Sequence, residues 1–336
     1  MGVKLRDLLE RDEIRLDSLA GKRIGVDAFN TLYQFLSTIR QKDGTPLMDS
    51  SGNITSHLSG LFYRNVRLLE HKILPIYIFD GKPPSLKEDT IKERKARKEE
   101  ARKKWKNALD EGDLDRAKTY SQATSQLDEK MIDESKKLLD CLGIPHVQAP
   151  SEGEAQAAYM CKNNEINAVG SQDYDSLLFG SPILIRNITV SGKRKVPRRN
   201  MYVTISPEKI ILQDQLNHLG ISLENLIEIA VLTGTDFNPG IKGIGAKTAL
   251  KVIKKDGFET AIEKYNFQVD PYAVKKIFTN PETTDDYNLS WTFPNEEKAQ
   301  ELLHEKHEFS RERISNALSK LEEATGSRDQ TSLDSW

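Results

Sequence analysis

KRIGVDAFNTLYQFLSTIR, residues 22–40, changes its hydrophobic period in the middle. KRIGVD is a short apolar run closed by a carboxylate, the pattern of a strand buried on both faces. From Ala28 onward Phe29, Leu32, Phe35, Leu36 and Ile39 recur at helical spacing. LPIYIFD, residues 74–80, repeats the first pattern: apolar run, then Asp80. The first 80 residues therefore read strand–helix–helix–strand, with a turn-rich loop, DGTPLMDSSGN, at 43–53. Further on come an amphipathic helix (LDEKMIDESKKLLDCLG), short strands at PHVQA, NAVGSQD and PILIR, and a helix at SEGEAQAAYMCK. Such alternation predicts an α/β fold, a central, mostly parallel, twisted sheet flanked by helices on both faces.

Composition divides the chain. After Asp80, GKPPS breaks the pattern, and residues 87–106 carry ten Lys/Arg against five Asp/Glu with few core residues. This stretch predicts one or two helices standing off the core. Residues 186–199 (RNITVSGKRKVPRR) carry six basic and no acidic side chains and read as a basic hairpin. From 206 the reading is helical, with ISLENLIEIAVLTGTD (221–236), the turn PGIKGIG and a new helix at AKTALKVIKK. The last residues, TGSRDQTSLDSW, read as a flexible tail.

The overall net charge of −2 conceals these basic segments, and local sign asymmetry is what a polyanion meets. The two cysteines, Cys141 and Cys161, lack metal-ligand or disulfide spacing, which fits a reducing intracellular compartment. No segment approaches the roughly 20 apolar residues of a membrane span, and no membrane association is expected.

Seven acids sit where apolar strands end or the next element begins: Asp27, Asp80, Glu152, Glu154, Asp173, Asp175 and Asp236. A helix cap or turn explains Asp27 or Asp80 alone. Ser151 as N-cap would place Glu152 and Glu154 in a first helical turn, where the helix dipole favours one of them more clearly than both. Asp173-Tyr-Asp175 after a strand would set two carboxylates on one side of extended chain. Unpaired buried charge is costly, and hard divalent cations with oxygen ligands neutralise such a group. GIKGIG, with Gly240, Gly243 and Gly245 ahead of Lys247, offers backbone groups to a phosphate chain or a monovalent cation. Lys87 and Arg94, on the charged helix nearest Asp80, would offset the acids and meet a phosphate. Gln330, Leu333 and Trp336 form QxxLxxW, spaced anchors suited to a partner's groove.

VDAFNTLYQFL, YIFDGKPPSLK, APSEGEAQAAYM, SQDYDSLLFG and LTGTDFNPGIKGIGAKTAL together resemble the flap endonucleases, structure-specific 5′-nucleases of replication and repair. The resemblance covers nearly the whole chain and occupies all seven family carboxylate positions. It implies a PIN-like 5′-nuclease fold and removal of 5′ flaps from branched DNA in Okazaki fragment maturation and repair, with 5′–3′ exonuclease activity. Asp27, Asp80, Glu152 and Glu154 would serve one Mg²⁺, and Asp173, Asp175 and Asp236 a second. Lys87 and Arg94 would assist at the phosphate, Tyr33 would stack on the base beside the cleaved bond, and Arg40 and Arg64 match positions near the DNA.

Residues 1–84 would form the N-terminal nuclease region, 85–125 the helical arch and cap, and 126–260 an internal nuclease region. The last would include a helix-two-turn-helix at about 221–255 that grips duplex DNA through K⁺. A C-terminal helical region, 261–323, would precede the tail, 324–336, which is similar to the family's sliding-clamp-binding box. That box has two aromatics where this tail has Trp336, and the basic extension of eukaryotic members has no counterpart, so the resemblance is to the archaeal type. A monomer in the cytoplasm or nucleoid (the nucleus in a eukaryote) is expected.

Three other readings compete. A haloacid-type phosphatase would use Asp173 as nucleophile, but SQ precedes the DxD, Ser176-Leu177 follows it, and five acids stay unexplained. A non-catalytic junction or clamp adaptor would have lost a carboxylate, and none is missing. A relative that cuts bubbles or Holliday junctions fits the short arch and the tail box less well.

Overall fold

The computed structural model describes residues 2–190, 192–195 and 201–321. Seven strands form the main sheet: β1 (Asp12–Glu13), β2 (Arg23–Asp27), β3 (Leu74–Phe79), β4 (His146–Gln148), β5 (Ala168–Gly170), β6 (Ile183–Arg186) and β9 (Glu208–Ile211). Between the last two, β7 (Gly192–Lys195) and β8 (Tyr202–Ile205) pair as a separate antiparallel hairpin. The strand order is β1-β9-β6-β5-β2-β3-β4. The pairs β2–β3, β2–β5, β3–β4 and β5–β6 are parallel, and only β9 with its two neighbours is antiparallel. The sheet is thus mostly parallel, as the pattern predicts. The strands β1 and β9 are a departure: two residues of DE and four of EKII are too short and too polar to announce themselves.

Helices cover both faces. They are α1 (Ala28–Thr38), α2 (Ser56–Glu70), α3 (Glu88–Asp110), α4 (Leu114–Gln122), α5 (Glu129–Cys141), α6 (Gly153–Lys162) and α7 (Asp175–Leu178), then α8 (Leu212–Leu219), α9 (Leu223–Thr233), α10 (Ala246–Lys264), α11 (Pro271–Thr279) and α12 (Glu296–Gln300). Alternate residues of β3 enter opposite cores, Ile76 and Ile78 on the α6 and α9 side, Tyr77 and Phe79 on the α2 and α5 side. Each such side chain stabilises the fold by about 1.5–3 kcal/mol relative to exposure. On β2, Gly25 turns to the α6 side, where a β-carbon would lie 2.5 Å from Ile166 Cδ1.

The basic stretch after Asp80 forms the long helix α3, which packs with α4. The pair is tied back to the 41–44 loop, where Trp105 Nε1 donates to Asp43 O at 3.4 Å. The C-terminal third is less helical than its sequence suggests. Residues 281–295 form neither helix nor strand and run as a strap past α6 and β3. No helix among the described residues is long and apolar enough to cross a membrane.

The chain steps outward through the sheet from β2 to β3 to β4, then returns to β5 on the other side of β2. In open α/β sheets ligands bind beyond the carboxyl ends of strands at such a reversal.

Candidate active site

The carboxyl ends of β5, β2, β3 and β4, adjacent in the sheet, deliver six of the seven acids, and the turn after α9 delivers Asp236. Asp27 ends β2 and caps α1, its Oδ1 accepting from Asn30 N at 3.0 Å. Asn30 Nδ2 in turn donates to Asp173 Oδ2 at 2.8 Å. The helix cap that would explain Asp27 alone and the acidic site thus share one residue. Asp80 Oδ1 accepts from Gly153 N at 2.7 Å, and a β-carbon on Gly153 would lie 2.7 Å from that oxygen. Only glycine fits between Glu152 and Glu154.

The segments carrying Asp80 and Glu152 are held together by Gly81 N to Ser151 O at 2.6 Å and Lys82 N to Pro150 O at 3.2 Å. Ser151 is not the N-cap of α6; its hydroxyl donates to Lys82 O and Glu152 takes the cap position, so Glu152 precedes the first turn and Glu154 lies in it. The DxD is not extended either: Asp173 lies in a bend and Asp175 opens α7. Both carboxylates are aimed by the start of the chain, with Gly2 N donating to Asp173 Oδ1 at 3.0 Å and Val3 N to Asp175 Oδ1 at 2.7 Å. Ser171 Oγ donates to Glu154 Oε1 at 2.7 Å. The turn carrying Asp236 is closed by Thr235 N to Asn238 O at 3.0 Å.

All seven acids form one electrostatic cluster. Burial, then Asp80 and Asp173, raise the Asp27 carboxyl well above its usual range against the Asn30 N–H. Burial, then Asp175, Asp27 and Asp173, do the same to Glu154. Asp80 is raised by burial and by Asp236, although Lys87 opposes this. Asp175 is pushed up to about 7 by burial, Asp173 and Asp236. Two cations intrude. Lys87 Nζ lies 2.5 Å from Glu152 Oε2, and Arg94 Nη2 lies 2.6 Å from both oxygens of Asp236. Burial works against the Lys87 charge, but Glu152, Asp80 and Asp236 outweigh it and raise its pKa. Glu152 is also raised, because burial, Asp80 and Asp236 outweigh its lysine. The acids dominate the locality.

Such a cluster is suited to divalent cations, and the residues fit them. Among the described residues no three His, Cys, Asp or Glu side chains close on a single point. That spacing is compatible with Mg²⁺, which keeps several waters and is held through them as much as directly. The mutual repulsion, which a cation would relieve, is the stronger observation.

The remaining expected residues lie outside this network. Tyr33, one turn beyond Asn30 on α1, has Lys98 Nζ 4.5 Å from its ring centroid. Arg40 closes its own loop, donating to Leu36 O at 2.8 Å, Gly44 O at 2.9 Å and Ser125 Oγ at 2.9 Å. Arg64 is half-buried on α2, its pKa lowered by burial and by Arg67. Gly240 and Gly243 take positive φ of 73° and 86°, Gly243 and Gly245 face open space, and Lys247 is exposed in the first turn of α10. Gln330, Leu333 and Trp336 lie outside the described residues. Sequence reasoning misses Asn30, Ser171, Gly153 and the Gly2-Val3 backbone. Asn30 and Ser171 carry a signal, a polar side chain three residues after Asp27 and two before Asp173.

The XPG N-terminal domain family matches residues 1–101 and the XPG I-region family residues 143–236. Flap endonuclease 1 of Pyrococcus abyssi is 53% identical over 337 residues, covering 100% of this chain and 98% of that one. Flap endonuclease 1 of Archaeoglobus fulgidus is 51% identical over 338 residues and 100% of both chains. Among solved structures, flap endonuclease-1 from Methanococcus jannaschii superimposes with a TM-score of 0.78 at 40% identity, covering 97% of this chain and 100% of that one. The catalytic core of Rad2 in complex with DNA substrate gives 0.71 at 25% identity, covering 96% and 100%.

Proposed function

The chain belongs to the flap endonuclease family, metal-dependent nucleases that hydrolyse phosphodiester bonds in branched DNA during replication and repair, and from that premise we propose how its residues divide the work. Asp27, Asp80, Glu152 and Glu154 hold one Mg²⁺, and Asp173, Asp175 and Asp236 hold the second. The convergence of six acids at the carboxyl ends of four neighbouring strands with Asp236 from the turn after α9 carries this reading. When bound, the cations supply an activated water and a counter-charge for the phosphate. Lys87 and Arg94 occupy the cluster in the absence of substrate and turn their charge to the scissile phosphate when it enters. Tyr33 stacks on the neighbouring base once Lys98 leaves its face.

Residues 85–125, with α3 and α4, act as the arch over the 5′ strand. The turn of Gly240, Gly243 and Gly245, open at Gly243 and Gly245, grips duplex DNA with Lys247 and K⁺, and Arg40 and Arg64 serve the DNA surface. The remaining regions divide as the motifs suggest: nuclease segments at 1–84 and 126–260, a C-terminal region at 261–323, and the tail at 324–336. Gln330, Leu333 and Trp336 bind a sliding clamp, and the enzyme works as a monomer with 5′–3′ exonuclease activity besides flap cleavage.

Flap, nicked, bubble and four-way-junction DNA, incubated with Mg²⁺ or EDTA and resolved on one gel, test the reading. Mg²⁺-dependent cleavage at the base of the 5′ flap, above the other substrates, is expected. Equal cleavage in EDTA, or preference for junctions, overturns it.

A further inference from the structure

The strap at 281–295 grips α6 immediately behind its carboxylates. Gln156 is completely buried. Its Nε2 donates to Thr284 O at 2.8 Å, and its Oε1 accepts from Thr284 N at 2.9 Å. A two-point amide clamp fixes orientation as well as distance, and breaking a buried one leaves donor and acceptor unmet. Tyr159 and Tyr287 extend the contact: Tyr159 OH donates to Asp285 Oδ1 at 2.8 Å, and Tyr287 OH donates to Glu165.

Gln156 belongs to the turn that carries the acids. Its backbone N–H donates to Glu152 O at 3.2 Å, and Glu154 is two residues before it. The strap is equally fixed at its start, because it continues directly from α11. There Lys275 Nζ is 2.7 Å from Glu224 and 2.7 Å from Glu228, both on α9. The helix α9 leads to Asp236 and then to the glycine turn. One continuous series of bonds and chain therefore connects the N-terminal half of α9 with the first turn of α6.

We propose that Gln156 is a positioning residue: through its clamp on Thr284 the strap sets the pose of Glu152 and Glu154 and hence their affinity for a divalent cation. The inference rests on the reading of those two glutamates as metal carboxylates. It assigns to a neutral, buried amide the part that outer-shell groups play at metal sites, where their loss costs about 10–100-fold in affinity.

The test is Mn²⁺ binding to the full chain without DNA, followed by electron paramagnetic resonance, for wild type, Glu154→Gln and Gln156→Met. Methionine keeps the length and volume of the side chain and removes both hydrogen bonds. Gln156→Met is expected to weaken Mn²⁺ by about tenfold or more and to raise half-saturating Mg²⁺ in single-turnover cleavage by a like factor. The rate at saturating Mg²⁺ and KM for flap DNA change little, a split that general loosening of the fold would not produce. Thr284→Pro removes the N–H that Gln156 accepts, together with the hydroxyl that accepts from Asp286 N, leaves α6 intact and is expected to act in the same direction. Wild-type Mn²⁺ affinity in either folded variant overturns the role of Gln156 while leaving the metal reading intact. Equal Mn²⁺ binding by wild type and Glu154→Gln overturns that reading and the proposal with it.

Discussion

The backbone N–H of Gly2 donates to Asp173 Oδ1 at 3.0 Å, and a β-carbon on Gly2 would lie 2.6 Å from the β-carbon of Asp173. The start of the chain is a wall of the active site, built to a clearance that only glycine meets. Gly2→Ala is expected to slow single-turnover flap cleavage by about 10–100-fold, the scale of a small misplacement of a reacting group. Duplex affinity in EDTA should be preserved. A wild-type rate would show that Asp173 needs no such fixing.

Asp175 makes the metal-free protein sensitive to pH. Folding raises its carboxyl from 3.8 to about 7. The folded chain then keeps a proton that the unfolded chain has lost, so the stabilising contribution is complete below about pH 4 and lost as pH rises through about 7. In EDTA the melting temperature should fall across that window, and Mg²⁺ should restore it at pH 8. Asp175→Asn should flatten the fall and nearly abolish cleavage while leaving duplex binding intact. Substantial turnover by this variant in saturating Mg²⁺ would remove Asp175 from the site.

Lys87 is paired with Glu152 at 2.5 Å, and its ammonium is 5.8 Å from the Phe237 ring centroid. Lys87→Ala should lower the cleavage rate by about 10²–10³-fold, as when a donor to a charged transition state is removed. The melting temperature should change little. A normal single-turnover rate would leave the lysine a structural counter-ion.

A second charged group behaves in the opposite sense to Asp175. The side chain of Asp49 is almost wholly buried, 2% exposed. Burial works against its charge, yet Asn53, through both its backbone and its side chain, and His307 hold the carboxyl down to about 2. Its contribution is therefore complete above about pH 4 and lost as pH falls through about 2. Asp49→Asn should lower the melting temperature at pH 7 and leave it less dependent on pH between about 2 and 4. An unchanged acid profile would show that the His307 link does not hold the C-terminal segment to the 43–53 loop.

Deleting residues 330–336 should leave flap cleavage at its full rate and remove stimulation by a sliding clamp. Undiminished clamp capture in a pull-down would place the clamp contact elsewhere.

Much of this site is legible because buried strands announce themselves. RIGV and PIYIF leave Asp27 and Asp80 stranded at apolar ends, where a lone charge needs a reason. The 173–175 segment departs from the extended chain its sequence suggests because its shape is not local: the bonds that aim Asp173 and Asp175 come from residues 171 and 172 positions away. The strap is invisible for the same reason. PETTDDYNLSWTFPNEE has no apolar period, and its course is set by Gln156, Tyr159 and Pro75 O rather than by its own propensity. Gly153 reads as a spacer between two glutamates, although what demands it is the Asp80 carboxylate from another strand.

The return of the chain from β4 to β5 has a consequence for biosynthesis. The acids span positions 27 to 236, and Gly2 and Val3 find their partners only when residues 173 and 175 have been made. A ribosome-bound chain ending before α9 has strands to pair but no complete set of carboxylates. Contacts this distant in sequence form late and slowly. The set of seven acids is therefore complete only once residue 236 has been made, when more than two thirds of the polypeptide is present.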